Sequence, residues 1–292
     1  MKVLHMARST DEENKILESI LDDSAEFIVY RNLNDDEKVK AIELADTCGV
    51  GIVGVQNSNH FGAGAYYAHL AAEAKKISIV TTNSFPLVVP HGGISPVFGT
   101  NPITFGAPVI DGPSILADFS TGAMSGATFR NAIADRKNIP LGSALDEQGN
   151  DIVEPEQAGN GNILPIAGSK GYCLGLMIEI ISGVLTGSAI SHEIGSVWKD
   201  FTKSNRVGHL LIAIDISSII PLEIYYERIA DLTGFIKAAK KMNNIDEILL
   251  PGETRWRHYQ QNVENGVPIS DANINDINSL AHILGLIPPW QI

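Results

Sequence analysis

Gly49-Val50-Gly51-Ile52-Val53-Gly54 is the stretch on which the fold turns. Formally it matches G-x-G-x-x-G, a pattern whose mechanism needs a strand before the glycines and a helix after them, so that a helix N-terminus meets a pyrophosphate. Here the order is reversed. Asn34 followed by Asp35–Asp46 predicts a helix with Val39, Ile42 and Ala45 on one face, and Gly49 supplies its left-handed stop. Gly51–Val55 then reads as a short apolar strand. The glycines are a helix stop and a strand entry, and a phosphate-binding turn is rejected at this point.

Working outward, Thr10 as N-cap and acidic residues in the next turn predict a helix over Asp11–Leu21. Ala63–Ala74 carries Tyr66, Tyr67, Leu70, Ala71 and Ala74 at helical spacing. Ile77–Val80, Ser114–Ala117, Leu210–Ile214 and Ile248–Leu250 read as strands. Asn83–Pro108, rich in proline and carrying Gly92-Gly93, reads as one loop-rich tract, of a length that is usually functional or disordered. Gly171–Gly187 is the clearest helix, with Leu174, Met177, Ile180, Ile181, Val184 and Leu185 as its expected buried stripe and Cys173 as core. Pro221–Lys241 is a long amphipathic helix with a basic end. Helix alternating with strand argues for an α/β protein. The expected division is a short divergent segment over 1–55, an α/β domain over 56–215 and a carboxy-terminal segment over 216–292 packing on it.

Composition narrows the class. The 292 residues are 44% hydrophobic and 19% charged, which fits a globular protein of one large domain or two intimate ones. A net charge of −13, with no compensating basic run, argues against a grip on nucleic-acid phosphates. The longest apolar stretch, Cys173–Leu185, is interrupted by Glu179 and falls short of the roughly 20 residues a membrane span needs. Met1–Thr10 lacks the apolar centre of a signal peptide. Two distant cysteines, Cys48 and Cys173, exclude a disulfide framework and a cysteine-rich zinc site. His60 and His69 lie about 2.5 helical turns apart on nearly opposite sides, so no metal site is expected. The expectation is an acidic cytoplasmic protein.

Three places carry candidate chemistry. His60, in Asn57-Ser58-Asn59-His60-Phe61-Gly62-Ala63-Gly64, comes after a strand and opens a helix among small residues. An imidazole there suits acid–base work near neutral pH, or it caps the helix through Asn59 or Ser58. Gly168-Ser169-Lys170-Gly171 at a helix start forms either an anion cradle or an ordinary exposed turn. Asp118-Phe119-Ser120-Thr121 ends a strand, and its carboxylate is equally an N-cap for the next segment of chain.

Taken together these segments resemble the malate/L-lactate dehydrogenase family of the non-Rossmann type, which includes ureidoglycolate and sulfolactate dehydrogenases. The resemblance runs through GVGIVGVQNSNHFGAG at Gly49–Gly64, TNSFPLVVPHGGISPVFGTNPITFGAP at Thr82–Pro108, Asp118–Thr121, Asn138–Gly149, LPIAGSKGYCLGLMIEIISGVLTG at Leu164–Gly187 and LPGE at Leu250–Glu253. It implies a mixed sheet with flanking helices, and a homodimer that interconverts a small 2-hydroxy acid and its 2-oxo acid with NAD or NADP. By motif position His60 is the catalytic histidine. The cofactor site is implied at Ser84, Asp118, Phe119, Ser120, Lys170, Gly171 and the turn Pro251, Gly252, Glu253, Thr254, Arg255 and Trp256. Asn101 in GTNP is implied as a loop-ordering residue.

The chain departs from the family pattern in its first part. Members carry a Ser-His-Gly motif with an arginine and a tyrosine after it that hold the substrate, and nothing in Met1–Tyr30 matches it. After the Asp118 region, the family's Gly-Lys pair reads Gly126-Ala127. The expectation is measurable cofactor binding with weak or absent turnover. The rival to the dehydrogenase reading is a truncated, catalytically weak or inert cofactor-binding homologue.

Overall fold

The computed structural model describes residues 40–154, 157, 162–196, 204–288 and 290. The helix expected over Asp11–Leu21 and the first residues of the one expected from Asp35 lie outside them. Two compact units are present, one ending at Pro251 and a second comprising Gly252–Ile292.

The first unit is built on a five-stranded sheet. Helix α1 (Lys40–Cys48) leads into β1 (Val50–Ser58), then α2 (Gly64–Glu73) and β2 (Lys76–Thr82). Next come β3 (Ile103–Ala107), β4 (Ile115–Phe119), α3 (Gly126–Ala134) and a two-stranded ribbon of β5 (Ala144–Leu145) and β6 (Asn162–Ile163). Helix α4 (Ser169–Glu179), β7 (Val207–Asp215) and α5 (Leu222–Ala238) complete it. The strand order is β1-β7-β2-β3-β4 and every junction is antiparallel. A parallel pairing occurs outside this sheet, where Val88 bridges Ile163. The α/β class and the helix-flanked sheet are as the sequence predicted.

Period-two alternation places α1 and α2 on one face of the sheet. In β1, Gly51 is buried while Val50 and Ile52 are exposed on the other face. Ala41, Ile42 and Ala45 of α1 join Ala71, Val80, Leu211 and Ala213 in one core. A Cβ on Gly51 would collide with the Ala41 carbonyl, so that glycine serves close helix-on-strand packing. Gly49, at φ +80°, ends α1 and turns the chain into β1. The rejection of a phosphate turn at Gly49–Gly54 therefore stands.

Four expectations are corrected. The tract Asn83–Pro108 is not all loop, because Ile103–Ala107 forms β3; its Gly106 was hidden by proline-rich flanks, and it packs on the Ala68 carbonyl. Ile248–Leu250 forms no strand. Cys173 is exposed rather than core. Most consequentially, the apolar stripe expected to be buried on Gly171–Gly187 faces outward: Met177, Ile180, Val184 and Leu185 are exposed. The buried face is instead Gly171, Gly175, Ile178 and Glu179 of α4, continued by Ser182 and Gly183 in a π turn at Ile180–Val184. Small residues let this helix press onto backbone; a Cβ on Gly208 would run into the Ser182 carbonyl. Periodicity found the apolar stripe, but close approach decided which face went inward.

The second unit holds α6 (Glu253–Asn265) and α7 (Asp271–Leu284), with Ser270 accepting from the Asn273 N–H as N-cap.

Candidate active site

Antiparallel order brings distant turns to one end of the sheet. Register pairs Ser58 with Val207, Thr82 with His209, Thr81 with Ile103, and Ile103 with Phe119. The loop carrying His60, the Asn83–Ser84 turn, the Gly99–Asn101 turn and Ser120 therefore share a rim. The glycines at Gly49–Gly54 start at the opposite end of β1, roughly 25 Å of strand away.

His60 lies just past the end of β1, where a register shift between Val55 and Ser58 and a positive φ of 52° at Asn57 redirect the chain. Asn57 is held from both sides: its N–H donates to Ser188 Oγ at 3.1 Å, and its Oδ1 accepts from Arg206 Nε at 3.4 Å. The His60 ring is exposed, and its Nδ1 accepts from the Gly62 N–H at 3.2 Å. That contact leaves Nε2 to carry the proton of the neutral ring. Partial desolvation lowers the His60 pKa from its ordinary value, and the Gly62 donor opposes the imidazolium in the same sense. The capping contact expected with Asn59 or Ser58 is thus made with Gly62 instead.

Beneath this loop lies a histidine that sequence reading missed. Phe61 stacks between Tyr67, at 5.0 Å, and His209, at 4.5 Å, and the Tyr67 hydroxyl donates to the Phe61 carbonyl at 3.1 Å. His209 is buried on β7, 2.7 Å from Thr82 Oγ1 through Nδ1, and burial pushes its pKa down to about 4. Within Val207-Gly208-His209-Leu210-Leu211 it reads as one polar interruption of a buried strand, and periodicity gives no sign that it supports Phe61.

The expected cofactor residues divide between the rim and the second unit. Ser84 is half-buried and donates its N–H to Asn101 Oδ1 at 3.2 Å. Asp118 Oδ1 accepts from Thr104 Oγ1 at 2.9 Å and Oδ2 from the Ala65 N–H at 3.4 Å. Its carboxylate therefore reaches the first turn of α2, just after His60, rather than capping the next helix in the chain; Ser125 caps α3. Phe119 is exposed, and Ser120 Oγ donates to the Gly122 carbonyl at 3.0 Å. Lys170 is exposed on the first turn of α4, whose N-cap Gly168 has φ +62° and offers no side-chain cap. Gly171 is buried against Ile166, where a Cβ would strike the carbonyl. This turn joins the rim through the Ile166 N–H, which donates to the Thr121 carbonyl at 2.9 Å.

Pro251 accepts from the Leu116 N–H at 3.0 Å, four residues before Ser120 on β4 and so about 13 Å along the strand. Gly252, at φ +98°, Glu253, Thr254, Arg255 and Trp256 open α6 in the second unit, where Trp256 stacks on Tyr259.

The fold and rim define a class: a helix-flanked antiparallel sheet that presents an exposed histidine loop at one end and no glycine phosphate turn at the other. The model of the malate/L-lactate dehydrogenase family matches residues 38–278. The malate dehydrogenase of Pyrococcus horikoshii is 36% identical over 254 residues, covering 84% of this chain and 69% of the relative. The malate/(S)-sulfolactate dehydrogenase of Methanothermus fervidus is 35% identical, covering 86% and 72%. Among solved structures, malate dehydrogenase from Entamoeba histolytica superposes with a TM-score of 0.80 at 27% identity, covering 85% of this chain and 72% of that one. Sulfolactate dehydrogenase from Methanocaldococcus jannaschii gives 0.77 at 31%, covering 84% and 70%. The chain belongs to the malate/L-lactate dehydrogenase family. It is an enzyme of the dehydrogenase and reductase class, and dehydrogenases of this family use a nicotinamide cofactor. No helix among the described residues is long and apolar enough to cross a membrane.

Proposed function

We infer that the protein interconverts a small 2-hydroxy acid of the malate or sulfolactate kind and its 2-oxo acid, as a cytoplasmic homodimer using NAD or NADP, with His60 as the acid–base residue. The observation that carries this is the His60 loop: an imidazole at the sheet rim, its Nδ1 engaged by Gly62 and its loop pinned by the Phe61 stack. A bound nicotinamide supplies the hydride acceptor or donor. For His60 to take the hydroxyl proton as the carbonyl forms, Nδ1 gives up the Gly62 N–H and accepts that proton while Nε2 keeps its own; in the reverse direction the imidazolium returns the proton to the oxygen and Nδ1 accepts from Gly62 again.

The residues present fit such a cofactor. The N-terminus of α4 has an uncapped first turn beside the Lys170 ammonium, a donor set suited to phosphate. Ser84 and Ser120 add hydroxyls on the same rim. Asp118, committed to Thr104 and to α2, fits an orienting task behind the His60 loop as well as a cofactor contact. Titration with NADH and NADPH, and then turnover with a panel of 2-oxo acids, tests the reading. Binding of one reduced cofactor is expected, with any consumption by an oxo acid slow. Binding of neither cofactor would overturn it.

A further inference from the structure

A carboxylate sits in the small-residue face of α4. Glu179 is 5% exposed and lies where the α-helix passes into its π turn, a local distortion that recurs at functional sites. Its donors are amides rather than cations: Asn101 Nδ2 at 2.8 Å, the Ser191 N–H at 2.9 Å and Asn83 Nδ2 at 3.4 Å. An apolar side chain of similar volume commonly serves stability as well as a buried ion does, so packing alone does not account for this one.

The two amides lead to a single place. Asn101 Nδ2 also donates to the Gly175 carbonyl at 3.1 Å, while its Oδ1 accepts the Ser84 N–H. Asn83, the residue before Ser84, donates to the Ala189 carbonyl at 2.9 Å and accepts from the Gly208 N–H at 2.9 Å. Both side-chain amides use both of their N–H donors, and both residues are buried. Asn101 is held at φ +29°, a strained backbone that persists only where its surroundings over-determine it. Glu179 thus fixes two successive residues, Asn83 directly and Ser84 through Asn101.

We propose that Glu179 is a positioning residue for the cofactor site, its buried carboxylate presetting the Asn83–Ser84 turn through Asn83 and Asn101. This rests on the reading that Ser84 lines that site. In Glu179→Gln one amide or backbone donor meets an N–H in place of an oxygen, so the turn loses its fixed geometry while the volume is kept.

The test is a fluorescence titration of NADH and NADPH on wild type, Glu179→Gln and Ile178→Ala, with KM and kcat from turnover and thermal midpoints for each. Ile178 is buried next to Glu179 but outside its hydrogen bonds, so its truncation lowers stability without touching the turn. Glu179→Gln is expected to weaken cofactor binding about tenfold, the scale of a lost charged hydrogen bond, through KM for the cofactor more than kcat. Ile178→Ala is expected to melt earlier and bind as wild type. Should Glu179→Gln not fold, Asn101→Asp sets two carboxyls together, with weak binding expected to recover as falling pH lets them share a proton. A folded Glu179→Gln with wild-type affinity, equal weakening by Ile178→Ala, or an Asn101→Asp with unaltered affinity overturns the proposal. Wild type binding neither cofactor removes the cofactor reading itself, and this inference with it.

Discussion

At the scale of single residues, the proposed chemistry rests on His60 and Lys170. With the His60 pKa lowered, reduction of the oxo acid needs a proton that the ring holds only in more acidic solution. The kcat/KM for reduction is therefore expected to fall as pH rises through a value below the ordinary 6.5 of histidine, while that for oxidation rises through the same value and then levels. A pH-independent profile across that range would remove His60 from the proton transfer. Lys170→Ala is expected to weaken reduced cofactor binding roughly tenfold or more, since a charged hydrogen bond is worth about 1.5–3 kcal/mol. Unchanged affinity in a folded variant would return that lysine to solvent. His60 and Lys170 were legible because each interrupts a run of glycines and small polar residues. His209 and Glu179 were not: each stands alone in an apolar stretch, and only the fold shows Phe61 on one and Asn101 on the other.

At the scale of elements, packing distances decide what the pattern leaves open. Gly51→Val is expected to destabilise by about 1–3 kcal/mol or more, because β1 meets α1 at the Ala41 carbonyl. Cofactor affinity of the folded fraction should stay as in wild type, an outcome that a phosphate turn at Gly49–Gly54 would forbid. The helix start at Gly168 and the β1 strand were readable from local signals, whereas the inward face of α4 was not. There the sequence offers a strong stripe of Met177, Ile180, Val184 and Leu185, yet Gly175, Ser182 and Gly183 are what fit against the sheet and its turns. Two strands also carry an acid-sensitive lock. Lys76 of β2 binds Asp215 of β7 at 2.5 Å and Asp46 at 2.8 Å, with Ser217 and Ser218 donating to the same Asp215 carboxyl. These donors hold the Asp215 pKa well below the usual carboxylate range.

At the scale of the whole molecule, the two buried groups give stability a two-step dependence on pH. His209, neutral in the fold with a pKa of about 4 against 6.5 when exposed, binds fewer protons folded than unfolded. Its contribution, on the order of 3 kcal/mol, is present above pH 6.5 and is lost as pH falls toward 4. Asp215 acts lower: its stabilisation is present above the unfolded carboxylate pKa and is lost as pH falls through its depressed folded value. Denaturant titrations of His209→Phe and Asp215→Asn across pH should each flatten only its own window; flattening of neither would detach these groups from acid stability.

The family was legible in the order of the NSNHFG, GTNP and KGYCLGL stretches, because the first two mark turns that the antiparallel register gathers at one rim and the third opens the helix whose preceding turn joins that rim. The most direct measurement sets wild type beside His60→Ala, comparing NADH and NADPH binding with the rate of 2-oxo acid reduction. Cofactor affinity should be the same in both proteins, and the reduction seen with wild type should fall by on the order of 10²–10⁴ in His60→Ala. Undiminished reduction by His60→Ala would contradict the assignment of acid–base chemistry to this rim.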